Sequence, residues 1–86
     1  MGRSRQPASE GGEILVDARG HRCPTPTLRL ARAARKAPAG ASLRLIADDP
    51  LARIDVPHFA AQAGLELVEV RQDGATLTFR LRVGEA

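Results

Sequence analysis

Apolar positions along this chain switch between two spacings, and the switches mark its elements. Ile14-Leu15-Val16-Asp17-Ala18 is a short apolar run that reads as a first strand, followed by a turn at Gly20. From Pro24 to about Ala37 the spacing becomes helical. Leu28, Leu30, Ala31, Ala34 and Ala37 are assigned to the apolar face, and Arg29, Arg32, Arg35 and Lys36 to the other. Pro38 and Gly40 end that helix. Ser42 to Ala47 alternates, with Leu43, Leu45 and Ala47 on one side, and predicts a second strand. Asp48-Asp49-Pro50 is a helix-start signal, because aspartate caps free N–H groups and proline suits a first turn. Pro57 disrupts a continuous helix from that point. The pattern therefore predicts a turn near Pro50–Arg53 and a helix from about Asp55 to Ala63, closed by Gly64. Leu65 to Arg71 is a third strand and Asp73-Gly74 a hairpin signal. Leu77, Phe79, Leu81 and Val83 then alternate against Thr76, Thr78, Arg80 and Arg82 in a fourth strand.

The element order is βαβαββ. A right-handed crossover makes the first two strands parallel, and the hairpin makes the last two antiparallel. The outward Thr and Arg of the last strand imply one wet sheet face, so both helices are expected on the other. The predicted fold is a two-layer α/β sandwich with a four-stranded mixed sheet in the order 1-2-4-3.

Composition narrows the picture. At 86 residues, with no Trp, no Tyr and two Phe, this is one small domain with an aliphatic core. Residues 1–13, rich in Gly, Ser, Arg and Glu without apolar periodicity, read as a disordered tail, leaving residues 14–86 as the folded domain. A single cysteine makes no internal disulfide, which fits a reducing cytoplasm. No apolar run approaches the roughly 20 residues of a membrane span. The opening Met1-Gly2-Arg3-Ser4-Arg5-Gln6 lacks the apolar stretch of a secretory signal, so the expected location is cytoplasmic. Net charge is +3, and all the basic residues except Lys36 are arginine, suited to bidentate pairing with carboxylates and phosphates.

The chemistry concentrates in Gly20-His21-Arg22-Cys23-Pro24-Thr25-Pro26. A lone intracellular cysteine is most often a buried small hydrophobe. Here its neighbours are Gly, His, Arg and Pro, which place it on a surface turn. With Pro24 at the first helical position and Pro26 at the third, two of the four unpaired N–H groups of a helix start do not exist, so no capping side chain is required there. The positive end of the helix, with Arg19, His21 and Arg22 close by, favours thiolate over thiol and predicts a pKa below the ordinary value of about 8.5.

Val16 to Pro26, with its Cys23-Pro24-Thr25-Pro26, resembles the signature of the TusA (SirA-like) sulfur-carrier family, whose mark is Cys-Pro-x-Pro at the start of the first helix. Ala47-Asp48-Asp49-Pro50 and Asp55-Val56-Pro57-His58-Phe59 look like the family's second block. The resemblance covers about residues 14–83. His21 stands where the family more often has an apolar residue, and Thr25 where some members have Glu.

Other groups have simpler readings. His21, His58 and Cys23 lack zinc-ligand spacing, and no metal or other cofactor is expected. His21 reads as a tuner of the thiol rather than its base, since residues two apart across a turn rarely align for proton transfer. Asp48 and Asp49 are candidates for capping, and the resemblance adds a place for them at a partner-recognition edge near the cysteine. The basic helix face lacks interleaved aromatics and fits no nucleic-acid module, so direct nucleic-acid binding is not expected. Docking of acidic protein partners through Arg22 and the helix face of Arg29, Arg32, Arg35 and Lys36 is the better functional reading, with a plain solvated face as its alternative.

The resemblance implies a sulfur carrier, at most a sulfurtransferase by transpersulfidation, and the chain is expected to be a monomer. In it Cys23 is catalytic, supported by Gly20, Arg22, Pro24 and Pro26, while His21, Thr25, Arg29, Arg32, Asp48 and Asp49 contact partners. A cysteine desulfurase or rhodanese-like protein would supply sulfur and a relay protein would accept it, for transfer RNA thiolation, molybdenum-cofactor synthesis or sulfur oxidation. The alternatives are a binding or regulatory module with a structural cysteine, and a redox sensor oxidised to sulfenic acid.

Overall fold

The computed structural model describes residues 13–21 and 25–84. In chain order the elements are β1 (Glu13–Asp17), α1 (Thr25–Lys36), β2 (Ser42–Ala47), α2 (Ala52–Ala63), β3 (Leu65–Asp73) and β4 (Thr76–Val83). The sheet order is β1-β2-β4-β3, with β1 parallel to β2 and the other pairs antiparallel. The expected sandwich and strand order are the observed ones.

Strand alternation builds the core. Val16, Leu45 and Phe79 are paired across three strands, as are Ile14, Leu43 and Leu81 one step away. Leu43, Leu45 and Phe79 are fully buried beneath Leu30 of α1 and Val56 of α2. Burying each such side chain is worth about 1.5–3 kcal/mol. The other sheet face carries a charge ladder. Glu13 pairs with Arg44 at 2.8 Å and with Arg80 at 3.0 Å, and Arg80 reaches Glu69 at 3.3 Å.

Some expectations change. Glu13, assigned to the tail, is the first residue of β1, held by its two arginine partners. The rest of the expected tail, residues 1–12, lies outside the described residues. Leu28, assigned to the apolar face of α1, is 59% exposed, whereas Pro26 and Leu30 are fully buried. Two residues along a helix turn by about 200°, so Leu28 and Leu30 cannot share a face. The buried stripe is Pro26, Leu30, Ala33, Ala34 and Ala37.

α2 starts at Ala52, earlier than expected, and Pro57 lies inside it. Ala52, Arg53 and Ile54 donate to Asp49, Pro50 and Leu51, tight three-residue steps that lead into the helix. Proline's missing N–H removes one bond, to the carbonyl of exposed Arg53, which water can satisfy. Gly64 ends the helix at φ 75°, donating to Ala60. β3 runs to Asp73, and a register shift between Leu67 and Glu69 leaves Val68 as a bulge.

Candidate functional site

β1 and β2 run parallel, so the loops at their C-terminal ends emerge together beside the N-termini of both helices. Open α/β sheets commonly place their chemistry at this edge. The first loop leaves β1 through a turn in which His21 donates to the carbonyl of Ala18 at 3.2 Å. Gly20, in the third position of that turn, has φ 85°, a conformation that disfavours any residue with a Cβ. Ala18 stays bonded to Ile46 of β2 at 2.8 Å, so the turn starts from the sheet itself.

Three side chains fix the loop. Asp48, just past the end of β2, accepts the Gly20 N–H on both carboxylate oxygens, at 3.0 and 3.1 Å. Asp17 accepts the side chain of Arg19 on both oxygens, at 2.9 and 2.7 Å, and the Arg19 backbone N–H at 3.2 Å. The Arg19 side-chain bond, helped by that backbone bond, lowers the Asp17 pKa to about 2. Arg29 reaches back from α1, donating to the Asp17 carbonyl at 3.3 Å and lying 3.2 Å from His21 Nε2. A guanidinium only donates, so His21 accepts on Nε2 and carries its proton on Nδ1. Nε2 is therefore occupied by Arg29.

Several expected site residues converge here. Gly20 is bonded to Asp48, and its neighbour His21 meets Arg29. Asp49 Oδ1 accepts from Leu51 at 3.1 Å in a turn ahead of α2, whose N-cap position is Leu51 and carries no side-chain cap bond, so the expected aspartate cap gives way to a turn contact. Asp48 turns instead to the other loop. Arg32 is exposed one turn beyond Arg29 on α1. Thr25 is the first residue of α1, whose first turn contains no acidic side chain. Arg22, Cys23 and Pro24 lie outside the described residues. The role of Asp48 as a tether between loops was not legible from its sequence, because its partner is 28 residues away. Nor was the clamp of Asp17 on Arg19, although their spacing of two residues is the one signal that offered it.

Among the described residues there is no group of three or more His, Cys, Asp or Glu able to hold a metal ion. No helix among them is long and apolar enough to cross a membrane. An open groove of about 650 Å³ lies at the opposite end of the fold, floored by Phe59, Leu65 and Val83, away from these loops.

Known proteins bear on this arrangement. The sequence model of the family described as "Sulfurtransferase TusA" matches residues 14–83. A protein from Pseudomonas putida strain F1 named "Sulfur carrier protein TusA" is 36% identical over 70 residues, covering 81% of this chain and 88% of its own length. The protein of the same name from Pseudomonas aeruginosa strain PAO1 is also 36% identical over 70 residues, covering 81% of this chain and 89% of its own. A crystal structure of a SirA-like protein from Desulfitobacterium hafniense superposes with a TM-score of 0.71 at 27% identity, covering 84% of this chain and 99% of that one.

Proposed function

The chain belongs to the TusA family, and from that premise we propose that it is a sulfur carrier whose working atom is the Cys23 sulfur. One observation carries this reading. In the sequence the only cysteine precedes the first residue of α1 by two positions, and α1 starts at the edge where the N-termini of both helices and the C-terminal ends of two parallel strands meet. A helix N-terminus with no acidic residue in its first turn favours a thiolate close to it.

The transfer needs no cofactor. Cys23 thiolate attacks the outer sulfur of a donor persulfide, forming a new S–S bond as the donor's own S–S bond breaks. The donor sulfur leaves as a thiolate, and Cys23 holds the outer sulfur as a persulfide. An acceptor thiolate then attacks that outer sulfur and Cys23 departs as thiolate, so neither step consumes an oxidant or a reductant. Donors are read as cysteine desulfurases or rhodanese-like proteins, and the acceptor as a relay protein. Transfer RNA thiolation, molybdenum-cofactor synthesis and sulfur oxidation are the destinations in view. Gly20, Pro24 and Pro26 shape the presenting loop. Arg22, His21, Thr25, Arg29, Arg32, Asp48 and Asp49 are proposed to flank the partner contact, in a monomer working in the cytoplasm.

Intact mass after incubation with a cysteine desulfurase and cysteine tests the reading. One added sulfur atom is expected on the protein and none on Cys23→Ser, which should melt within about 1 kcal/mol of the parent as a surface substitution. Added oxygen would mark a redox sensor, no change would mark a binding module, and either overturns the carrier.

A further inference from the structure

The two edges of this sheet are built differently. β3 is blunted by the Val68 bulge, a common defence against unwanted strand pairing. Among the described residues β1 has no such defence. Its pairing with β2 is regular from Glu13 to Asp17. Ala18 donates inward to Ile46, so by strand alternation the backbone groups of Ile14 and Val16 also face β2, and those of Glu13, Leu15 and Asp17 face outward. The Asp17 carbonyl is taken by Arg29. The Leu15 N–H and C=O and the Asp17 N–H have no partner among the described residues.

Alongside this edge runs a groove of about 410 Å³ between β1 and α1, lined by Ile14, Val16, Ala33 and the cations Arg29, Arg32 and Lys36, with Asp17, whose carboxylate is already paired with Arg19, also in its wall. The cations recur at helical spacing, which aligns them along the strand. On the open face of the sheet the same edge presents Leu15, 60% exposed. We propose that β1 is a docking edge for an extended acidic segment of a partner protein, which adds a fifth strand beside Leu15 with its carboxylates toward Arg32 and Lys36 and its alternate apolar side chains over Leu15.

Charge selects this occupant. A second copy paired antiparallel about Leu15 would set Glu13 against the other copy's Asp17 and bring two cationic grooves together, both unfavourable. A nucleic acid would meet the cations but leave the unpaired backbone groups of Leu15 unanswered. An extended acidic polypeptide satisfies both sets of groups, the backbone by strand addition and the cations by its side chains.

The test uses the isotope-labelled full chain and a synthetic peptide of about eight residues alternating valine and glutamate, with a valine–lysine peptide for comparison. On addition of the acidic peptide, the amides of Leu15 and Asp17 should shift and gain protection from hydrogen exchange. The basic peptide should bind at least about tenfold more weakly, and so should the acidic peptide to Arg32→Glu/Lys36→Glu. Leu15→Pro should abolish binding. It removes an outward N–H and no sheet bond, so the sheet should survive; if that variant does not fold, the charge-reversed variant still decides. Equal binding of both peptides would overturn the proposal. So would shifts on α1 with no protection at Leu15 and Asp17, as would protection already present without peptide.

Discussion

Asp17 and Asp48 are both carboxylates at the ends of parallel strands, yet they do different work, and each can be tested at its own atom. Asp48 holds the Gly20 N–H across the gap between two loops. Asp48→Ala should cost about 0.5–1.5 kcal/mol in urea denaturation, the usual net value of such a bond. Sulfur acceptance should slow by more than overall stability accounts for, because the loosened loop is the one that carries Cys23. Asp17 holds Arg19, and its pKa falls from an ordinary 3.8 to about 2. A carboxylate stabilised in the folded state binds its proton more readily when unfolded. Its contribution is thus full above about pH 4 and is lost as pH falls toward 2. The melting temperature of Asp17→Asn should lie slightly below that of the parent near neutrality. The two should converge across that acid window, and a constant gap would show that the ion pair is not responsible. The effect is small because both side chains are largely in water.

At the scale of elements, α1 carries the clearest contrast. Leu28 and Leu30 have the same chemistry and are two residues apart, but one is 59% exposed and the other fully buried. Leu30→Ala should destabilise by about 2–5 kcal/mol, while Leu28→Ala should stay within about 0.5 kcal/mol. Denaturant midpoints measured side by side check the rotation of the helix, since any other phase equalises or reverses the two. The same helix holds the presenting loop through Arg29, so its packing on the sheet and the geometry of the site are coupled. α2 shows that proline within a helix is tolerated where the lost bond falls on an exposed carbonyl. Its three-residue opening steps bring Asp49 and Pro50 into the turn.

For the molecule as a whole, one aliphatic core joins every strand, with Phe79 at its centre between Leu45 and Val70. A domain this small has little stability to spare. Phe79→Ala should cost about 3–5 kcal/mol and leave little folded protein at room temperature, with circular dichroism and amide exchange reporting loss of both ends of the sheet together. Survival of the β1–β2 end alone would mean that the core is divided. The charge ladder on the open face runs from Glu13 through Arg80 to Glu69, so it spans the sheet from β1 through β4 to β3. It lies on the face opposite the helices.

Element types and sheet order were legible in the chain alone. They rest on local physics: alternation in Leu43, Leu45 and Ala47, turn chemistry at Gly20 and Asp73-Gly74, and the rule for parallel crossovers. Even the bulge left a mark, since Leu67-Val68 breaks the alternation of β3. Whatever depends on residues distant in the chain was settled by tertiary contacts. Asp48 acts as a tether because β2 ends beside the turn after β1, and Glu13 belongs to the sheet because Arg44 and Arg80 meet it there. Leu30, not Leu28, faces the core because the buried stripe begins at Pro26, and α2 starts at Ala52 despite Pro57 because its packing outweighs one missing hydrogen bond. Local patterns specify elements; only packing chooses among the partners and faces that those elements leave open.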